Sequence, residues 1–371
     1  MLHIVSFNVP FPANYGGVID VYHRIRALAS LGVDISLHTF TYGRPPAPRL
    51  EQLCRQVRYY RRNMSPLMLL TRRPFIVSSR DNDELLANIL ANPAPVLLEG
   101  LHCCALLQSL KAARYPHKVL VRAHNVEHDY YSRLADAERN PLRRLYLRAD
   151  ARKLRRYESV LSLADALFAV TEADAAHFRS IGCPNVILMP SSHPDDDVVS
   201  QTGLGHYALY HADLSVPENI MAVRFLLDNI FNLSAHRLVV AGRNPHSRLR
   251  QHIAHFRNVS LVANPDDSAM QALVAGAQVN ILVTNQPTGL KLKLLNSLYA
   301  GRHCLVNSNM VAGTPLGQLC TVADDSDQLM AALDSLMRTP FTLSDICARK
   351  ALLDSLYSNS SNARKILAAL T

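Results

Sequence analysis

Lys291 and Lys293 stand two residues apart at the head of an apolar stretch that reads G-L-K-L-K-L-L-N-S-L-Y-A-G-R from Gly289 to Arg302. The pattern predicts a helix over about Leu290 to Ala300, with Thr288 as N-cap and Gly301 as the stop. Lysines in a first helical turn meet a macrodipole that is already positive there, which disfavours them. An anion bound at that end reverses the sign. Gly289 permits close approach to the backbone, the N–H groups from Leu290 onward have no helical acceptor, and two ammonium groups add charge. The stretch therefore reads as a phosphate site. Asn296 follows Lys293 at i+3 and reaches the same place from one turn deeper. Two solvated lysines on a surface helix are the plain alternative, but the flanking leucines leave little of this helix free to be surface.

Other residues able to do chemistry stand at the ends of apolar runs. Leu2 to Phe7 reads as a strand leading into N-V-P-F-P-A-N-Y-G-G, where Gly16 and Gly17 precede a helix predicted from about Ile19 to Leu31. Paired glycines let backbone N–H groups approach a ligand, or serve a turn that needs positive φ. Val96 to Leu98 ends in Glu99, with His102 beyond it. Val119 to Ala123 ends in His124-Asn125-Val126-Glu127-His128, and Leu238 to Gly242 empties into Arg243-Asn244-Pro245. Polar groups at the carboxyl ends of parallel strands converge on the crevice where such sheets bind ligands. Two histidines at i and i+4 around a glutamate also have the look of a zinc motif. That reading is set aside, because the run lies at a strand end and the sequence offers no evident third ligand. A histidine capping the following helix is the structural alternative for His124.

The elements that must hold these residues alternate along the whole chain. In the second half, Tyr207 to His211, Leu238 to Gly242, Val259 to Val262, Val279 to Val283 and His303 to Asn307 read as buried strands. Pro217-Glu218 is a favourable start for a helix running to about Ile230. Residues 50–95 give no assignable pattern beyond helices and an insertion. Asp195-Asp196-Asp197 suggests a metal triplet by composition, but its place after Pro190 and Pro194 suits a linker. A chain of 371 residues with 49% apolar content has room for two α/β domains. Its seven cysteines are an odd number without metal or C-x-x-C spacing, so they read as buried thiols in a reducing compartment, with no zinc site expected. The sequence shows neither a leader pattern nor an apolar run of about 18 residues, which points to a cytoplasmic protein.

The segment Gly289 to Arg302 resembles the donor-binding segment of family 4 glycosyltransferases, retaining enzymes of the GT-B fold. That family carries two glutamates with seven residues between them, which hold the donor sugar and the ribose. Here Asn296 stands where the second belongs, and Gln286 or a neighbour stands near the first. An amide still exchanges hydrogen bonds with hydroxyls but brings no charge. The resemblance extends over most of the second half, through the P-E-N turn at Pro217 and the A-G-R-N-P turn at Arg243 and Asn244. It implies an α/β protein of two Rossmann-like domains with parallel sheets facing across a cleft. The domains would be 1–190 for the acceptor and 191–358 for the nucleotide sugar, with 359–371 a helix returning to the first. It further implies that His124, close to the donor sugar, and Gln286 are the catalytic candidates. Gly16, Gly17, Glu99, Arg243, Asn244, Thr288, Gly289, Leu290, Lys291, Lys293 and Asn296 would bind substrate. Many members have a lysine after the first strand of the second domain. None follows His211, so Arg243 and Lys291 would supply that charge. The implied reaction is transfer of a sugar from a nucleoside diphosphate sugar to a hydroxyl, in surface polysaccharide or glycolipid biosynthesis, without cofactor or metal. Loss of both glutamates keeps open an idle relative that binds a nucleotide or a partner enzyme. A nucleotide-sugar epimerase of the same fold is a third reading.

Charge is distributed unevenly. From Met1 to Pro190 there are 25 Lys+Arg against 16 Asp+Glu, a net of +9, while from Ser191 to Thr371 there are 14 of each. The excess lies on the half that the resemblance assigns to the acceptor. It concentrates between Asn140 and Ala164, where a long basic helical segment is predicted. An anionic partner follows: a lipid-linked saccharide acceptor, or an acidic membrane surface on which a cytoplasmic protein sits peripherally. No nucleic-acid recognition motif accompanies the charge.

Overall fold

The computed structural model describes residues 1–138, 140–286 and 291–370, the side chains of Leu70 and Ala137 excepted. The chain divides into two units, Met1–His193 with Leu356–Thr371, and Pro194–Ser355. Each is built on one sheet whose strands pair in parallel.

In the first unit, β1 (Leu2–Ser6) is followed by helix α1 (Gly16–Ser30), β2 (Ile35–Thr41), β3 (Gln56–Arg61), β4 (Val96–Glu99) and β5 (Val119–Arg122). Then come α2 (Glu127–Ala137), α3 (Pro141–Tyr157), β6 (Ala166–Ala169), α4 (Glu172–Ser180) and β7 (Val186–Leu188). The sheet order is β3-β2-β1-β4-β5-β6-β7, with Ile4 level with Leu37 on one side and Leu97 on the other. β1, β4, β5 and β6 are buried throughout, as expected of parallel strands covered on both faces. The helix Asn359–Leu370 places Ala363 and Ile366 in this unit's core. It is fastened where His193 N–H donates to Asn359 Oδ1 at 3.2 Å and Asn359 Nδ2 donates to the His193 carbonyl at 2.8 Å.

Two sequence expectations change here. Residues 50–95 contain a strand: β3, Q-V-R-Y-Y-R, pairs with β2 at the sheet edge. Only Tyr60 on it is buried, so its charged alternate positions conceal the apolar pattern. Gly16 and Gly17 lie in the first turn of α1, not in the loop before it. Neither has positive φ. A Cβ on Gly17 would stand 2.9 Å from Phe7 Cζ, whereas Gly16 faces open space, so packing explains only the second glycine.

The second unit runs β8 (Ala208–Asp213), α5 (Pro217–Leu226), β9 (Leu238–Arg243), β10 (Val259–Ala263), β11 (Val279–Leu282), α6 (Leu292–Ala300), β12 (His303–Val306) and β13 (Thr321–Val322). The helix after Pro217 departs from α geometry at Leu227 and closes as a π turn over Leu227–Phe231. The order β10-β9-β8-β11-β12-β13 repeats that of the first six strands of the other sheet. In both, the chain reverses direction across the sheet beside the first strand, between β1 and β4 and between β8 and β11. Ligands of open parallel sheets bind beyond the carboxyl ends of the strands at that point. A Cβ on Gly242 would lie 1.9 Å from the Ala212 carbonyl oxygen, so only glycine lets β8 and β9 close there. Gly301 ends α6 in an extended conformation, φ −88° and ψ 173°, and not in the left-handed one expected of a stop glycine. Its requirement is space, since a Cβ would meet Asn280 Nδ2 at 2.2 Å.

Candidate functional site

At the reversal point of the second sheet, β8 ends beside the turn that opens α5. Glu218 on that turn accepts a hydrogen bond from Thr284 Oγ1, just beyond β11, and Gln286 N–H donates to the same Thr284 oxygen at 3.2 Å. The two lysines enter this corner. α6 begins at Leu292, so Lys291 occupies the N-cap position, φ −89° and ψ 99°, rather than the first turn. Lys293 Nζ lies 3.4 Å from Asn219 Oδ1 and 5.2 Å from the centroid of the Tyr210 ring. Burial, opposed by Glu218 and reinforced by Lys291, brings the Lys293 ammonium down to about 8. Lys291 is lowered by burial too, again against Glu218. Keeping Lys293 charged at neutral pH therefore costs about 3 kcal/mol of stability. His211 Nε2 is 3.1 Å from Ser297 Oγ, and burial with the Lys293 charge pushes the imidazole down to about 4, so it is neutral. Among the described residues the corner thus sets two ammonium groups, both lowered by burial, near one carboxylate, Glu218.

Not every expected residue joins it. Arg243 is 56% exposed and pairs at 3.2 Å with Asp267, beyond β10. Asn244 takes φ +54° and donates its N–H to Asn264 Oδ1 at 2.7 Å, on the same side. The side chain of Gln286 is exposed. Asn296 is half-buried and donates from Nδ2 to Asp195 Oδ1 at 3.1 Å. The acidic run at 195 is therefore more than a linker, because it supplies a carboxylate beside the amide that replaces a glutamate. Thr288, Gly289 and Leu290 lie outside the described residues.

At the reversal point of the first sheet, five ionisable side chains interlock. Arg24 Nη1 donates to Glu99 Oε1 and Oε2 at 2.5 and 2.6 Å, and Arg24 also pairs with Asp20. Arg122 donates from Nε and Nη2 to Asp20 Oδ2, both at 3.1 Å, and its Nη1 reaches the Met189 carbonyl. Ser192 N–H donates to Asp20 Oδ1 at 2.6 Å. His124 spans the carboxylates, with Nε2 2.9 Å from Glu99 Oε2 and Nδ1 3.3 Å from Asp20 Oδ2. Burial alone would lower its pKa, yet the bonds to Asp20 and Glu99 raise it. Both ring nitrogens thus face carboxylate oxygens, an arrangement that favours the protonated ring. Glu99 is 0% exposed, and its two oxygens are bonded to Arg24 and His124. Phe7 packs on His124 at 5.4 Å and on His102 at 5.1 Å, and so links Gly17 to this network.

Asp20 and Arg24 carry no motif. Their signal is position, a carboxylate and a guanidinium at i and i+4 on the face of α1 that also carries Val21, Ile25 and Leu28. The H-N-V-E-H run divides. His124 turns to Asp20 and Glu99, while His128, on α2, turns to Glu158, its Nδ1 3.2 Å from Oε2. The two histidines do not share one ligand.

No protein-family model matches the chain. Among curated proteins it is 24% identical over 360 residues, 90% of this chain and 88% of the relative, to an uncharacterized 44.6 kDa protein in the cps region of Klebsiella pneumoniae. Among solved structures, HepE of Anabaena in complex with UDP matches at a TM-score of 0.67 and 11% identity, covering 100% of this chain and 99% of that one. HepE has also been solved with UDP-glucose. The α,α-trehalose 6-phosphate synthase of Burkholderia multivorans matches at 0.62 and 12% identity, covering 100% and 98%. These likenesses establish the fold: α/β, with two Rossmann-like units of the GT-B architecture.

Proposed function

We propose that the protein transfers a sugar from a nucleoside diphosphate sugar to a hydroxyl acceptor during assembly of a surface polysaccharide or glycolipid, with the second unit holding the donor. The observation that carries this reading is the pair of half-buried ammonium groups, Lys291 and Lys293, at the reversal point of the second sheet. A diphosphate there would repay their burial, and its leaving charge would be met by groups already in place, which is electrostatic catalysis by preorganisation. In this reading the two lysines take the part that a divalent cation plays elsewhere, and the donor site needs no metal. Arg243 contributes little while it remains exposed and paired with Asp267. Asn296 and Asp195 together face the ribose or sugar hydroxyls, an amide donating and a carboxylate accepting.

The relative in a cps region and the GT-B fold support the polysaccharide setting. The first unit supports an anionic acceptor or an acidic membrane surface. On α3, Leu142 and Leu145 are 78% and 66% exposed beside Arg143, Arg148, Arg152 and Arg155, a pairing of apolar tips with cations that suits lipid headgroups. No helix among the described residues is long and apolar enough to cross a membrane. Calorimetry with UDP, GDP and ADP tests the donor site, and turnover of the corresponding sugar nucleotides tests the transfer. Binding without turnover for any donor would leave the idle relative, and no nucleotide binding would refute the site. The retaining course is read from the anomeric configuration of the product by NMR.

A further inference from the structure

His128, Glu158 and His177 come from three separate segments of the first unit, α2, the residue after α3, and α4. Their ligand atoms all lie within 4.8 Å of one another. His177 Nε2 is 2.8 Å and His128 Nδ1 3.2 Å from the same oxygen, Glu158 Oε2. The side chains are 28%, 12% and 4% exposed for His177, His128 and Glu158.

One contact of the triad, His128 Nδ1 to Glu158 Oε2, is close without forming a hydrogen bond. His128 Nε2 faces Asp129 Oδ1 at 3.3 Å, where only a donated proton is favourable. A neutral ring that donates from Nε2 has a bare lone pair on Nδ1. That Nδ1 is buried without a hydrogen-bond partner while pointing at a carboxylate oxygen. A metal ion between that nitrogen and the carboxylate oxygen would take both atoms as ligands. The Asp129 carboxylate behind His128 then plays the part that outer carboxylates play for metal-bound histidines, fixing the tautomer and raising ligand basicity.

We propose that His128 Nδ1, His177 Nε2 and Glu158 Oε2 form a zinc-class metal site that fastens the basic α2–α3 hairpin to α4. Tetrahedral ligands at 2.0–2.2 Å from zinc are about 3.3 Å apart, so the existing separations need only small adjustments. Two imidazoles and one carboxylate favour zinc over magnesium or calcium, which take oxygen ligands. Three protein ligands leave a fourth position for water. His128 also lines a cavity of about 220 Å³ with Ser132, Arg148, Arg152 and Arg155, toward which that position can open. No cysteine takes part, which is why cysteine spacing gave no hint of the site.

The test uses the full-length chain without a histidine tag, and the probes are zinc and cobalt themselves. Elemental analysis after dialysis is expected to find about one zinc per chain. Chelation should lower the melting temperature, and added zinc should restore it. Cobalt(II) substitution should give the intense visible bands of a tetrahedral site, and these should vanish in His177→Gln and His128→Gln. Cobalt in the unaltered chain needs no variant to fold. A chain that holds no stoichiometric zinc, shows no melting shift on zinc addition and gives only octahedral cobalt bands overturns the proposal. So does metal retained undiminished in both variants. The outcome is independent of nucleotide binding, so this site and the donor reading stand or fall separately.

Discussion

Lys293 Nζ lies 3.4 Å from Asn219 Oδ1, a neutral acceptor, although its charge is largely withdrawn from water. The depressed pKa of about 8 follows from that mismatch, and a bound diphosphate should reverse it. At pH 8 the free protein has Lys293 about half protonated, and the complex should have it fully so. Nucleotide binding is then expected to take up about half a proton, and affinity should fall above pH 8. Calorimetry in buffers of different ionisation enthalpy reads the uptake directly, and a pH-independent heat would contradict the assignment.

Because Lys293 costs stability when charged, Lys293→Met should separate stability from function. The folded protein should gain about 1–3 kcal/mol while nucleotide affinity collapses. Lys291→Ala is expected to weaken nucleotide binding by about 1.5–3 kcal/mol with little change in folding. Melting curves and titrations on the same preparations check both variants.

Asn296 and Asp195 should be coupled. Asn296→Glu places a carboxylate beside Asp195 and is expected to cost about 1 kcal/mol or more through like-charge contact, with donor affinity falling too. Adding Asp195→Asn should recover much of the loss, and a double-mutant cycle measures the coupling. Additive effects would show that the 3.1 Å contact carries no energy.

The His124 network has a signed pH signature. A raised folded pKa means that its contribution is fully present below the unfolded value near 6.5 and is lost as pH rises through the folded pKa. The facing groups are Asp20 and Arg24 from α1, Glu99 from β4 and Arg122 from β5. The stability gap between the unaltered chain and His124→Gln should therefore be widest in mild acid and shrink on the alkaline side. Asp20→Asn, which strands Arg122, should cost about 3–5 kcal/mol at neutral pH.

Membrane association is checked by liposome sedimentation. Binding should rise with anionic lipid, fall with salt, and drop when Arg148, Arg152 and Arg155 become Ser. Arg144 is a poorer choice, since its Nε already donates to the Glu138 carbonyl at 3.0 Å. Leu142→Ser with Leu145→Ser should reduce binding at high salt, where only apolar contact persists.

The elements ending in Glu99, His124 and Arg243 were legible because strands buried on both faces are nearly continuous apolar runs. The cationic start of α6 was legible because lysine there opposes the helix dipole. What those residues bond to was not. Asp20 meets Arg122 at a separation of 102 residues, Asp195 meets Asn296 at 101, and His177 meets Glu158 across a strand, and none of these pairs has a local pattern. β3 was hidden for a different reason, since an edge strand with one buried residue resembles a polar loop in composition.

The first unit borrows its last helix from the far end of the chain: Asn359 and His193 are bonded across 166 residues. A ribosome delivers the whole of Pro194–Ser355 before that helix exists, so the second unit can fold during synthesis while the first still lacks Ala363 and Ile366. Closing so long a loop is slow, and the uncovered core is open to misassociation in the interval. The first unit, not the second, is therefore where synthesis rate and chaperones should decide the yield of active protein.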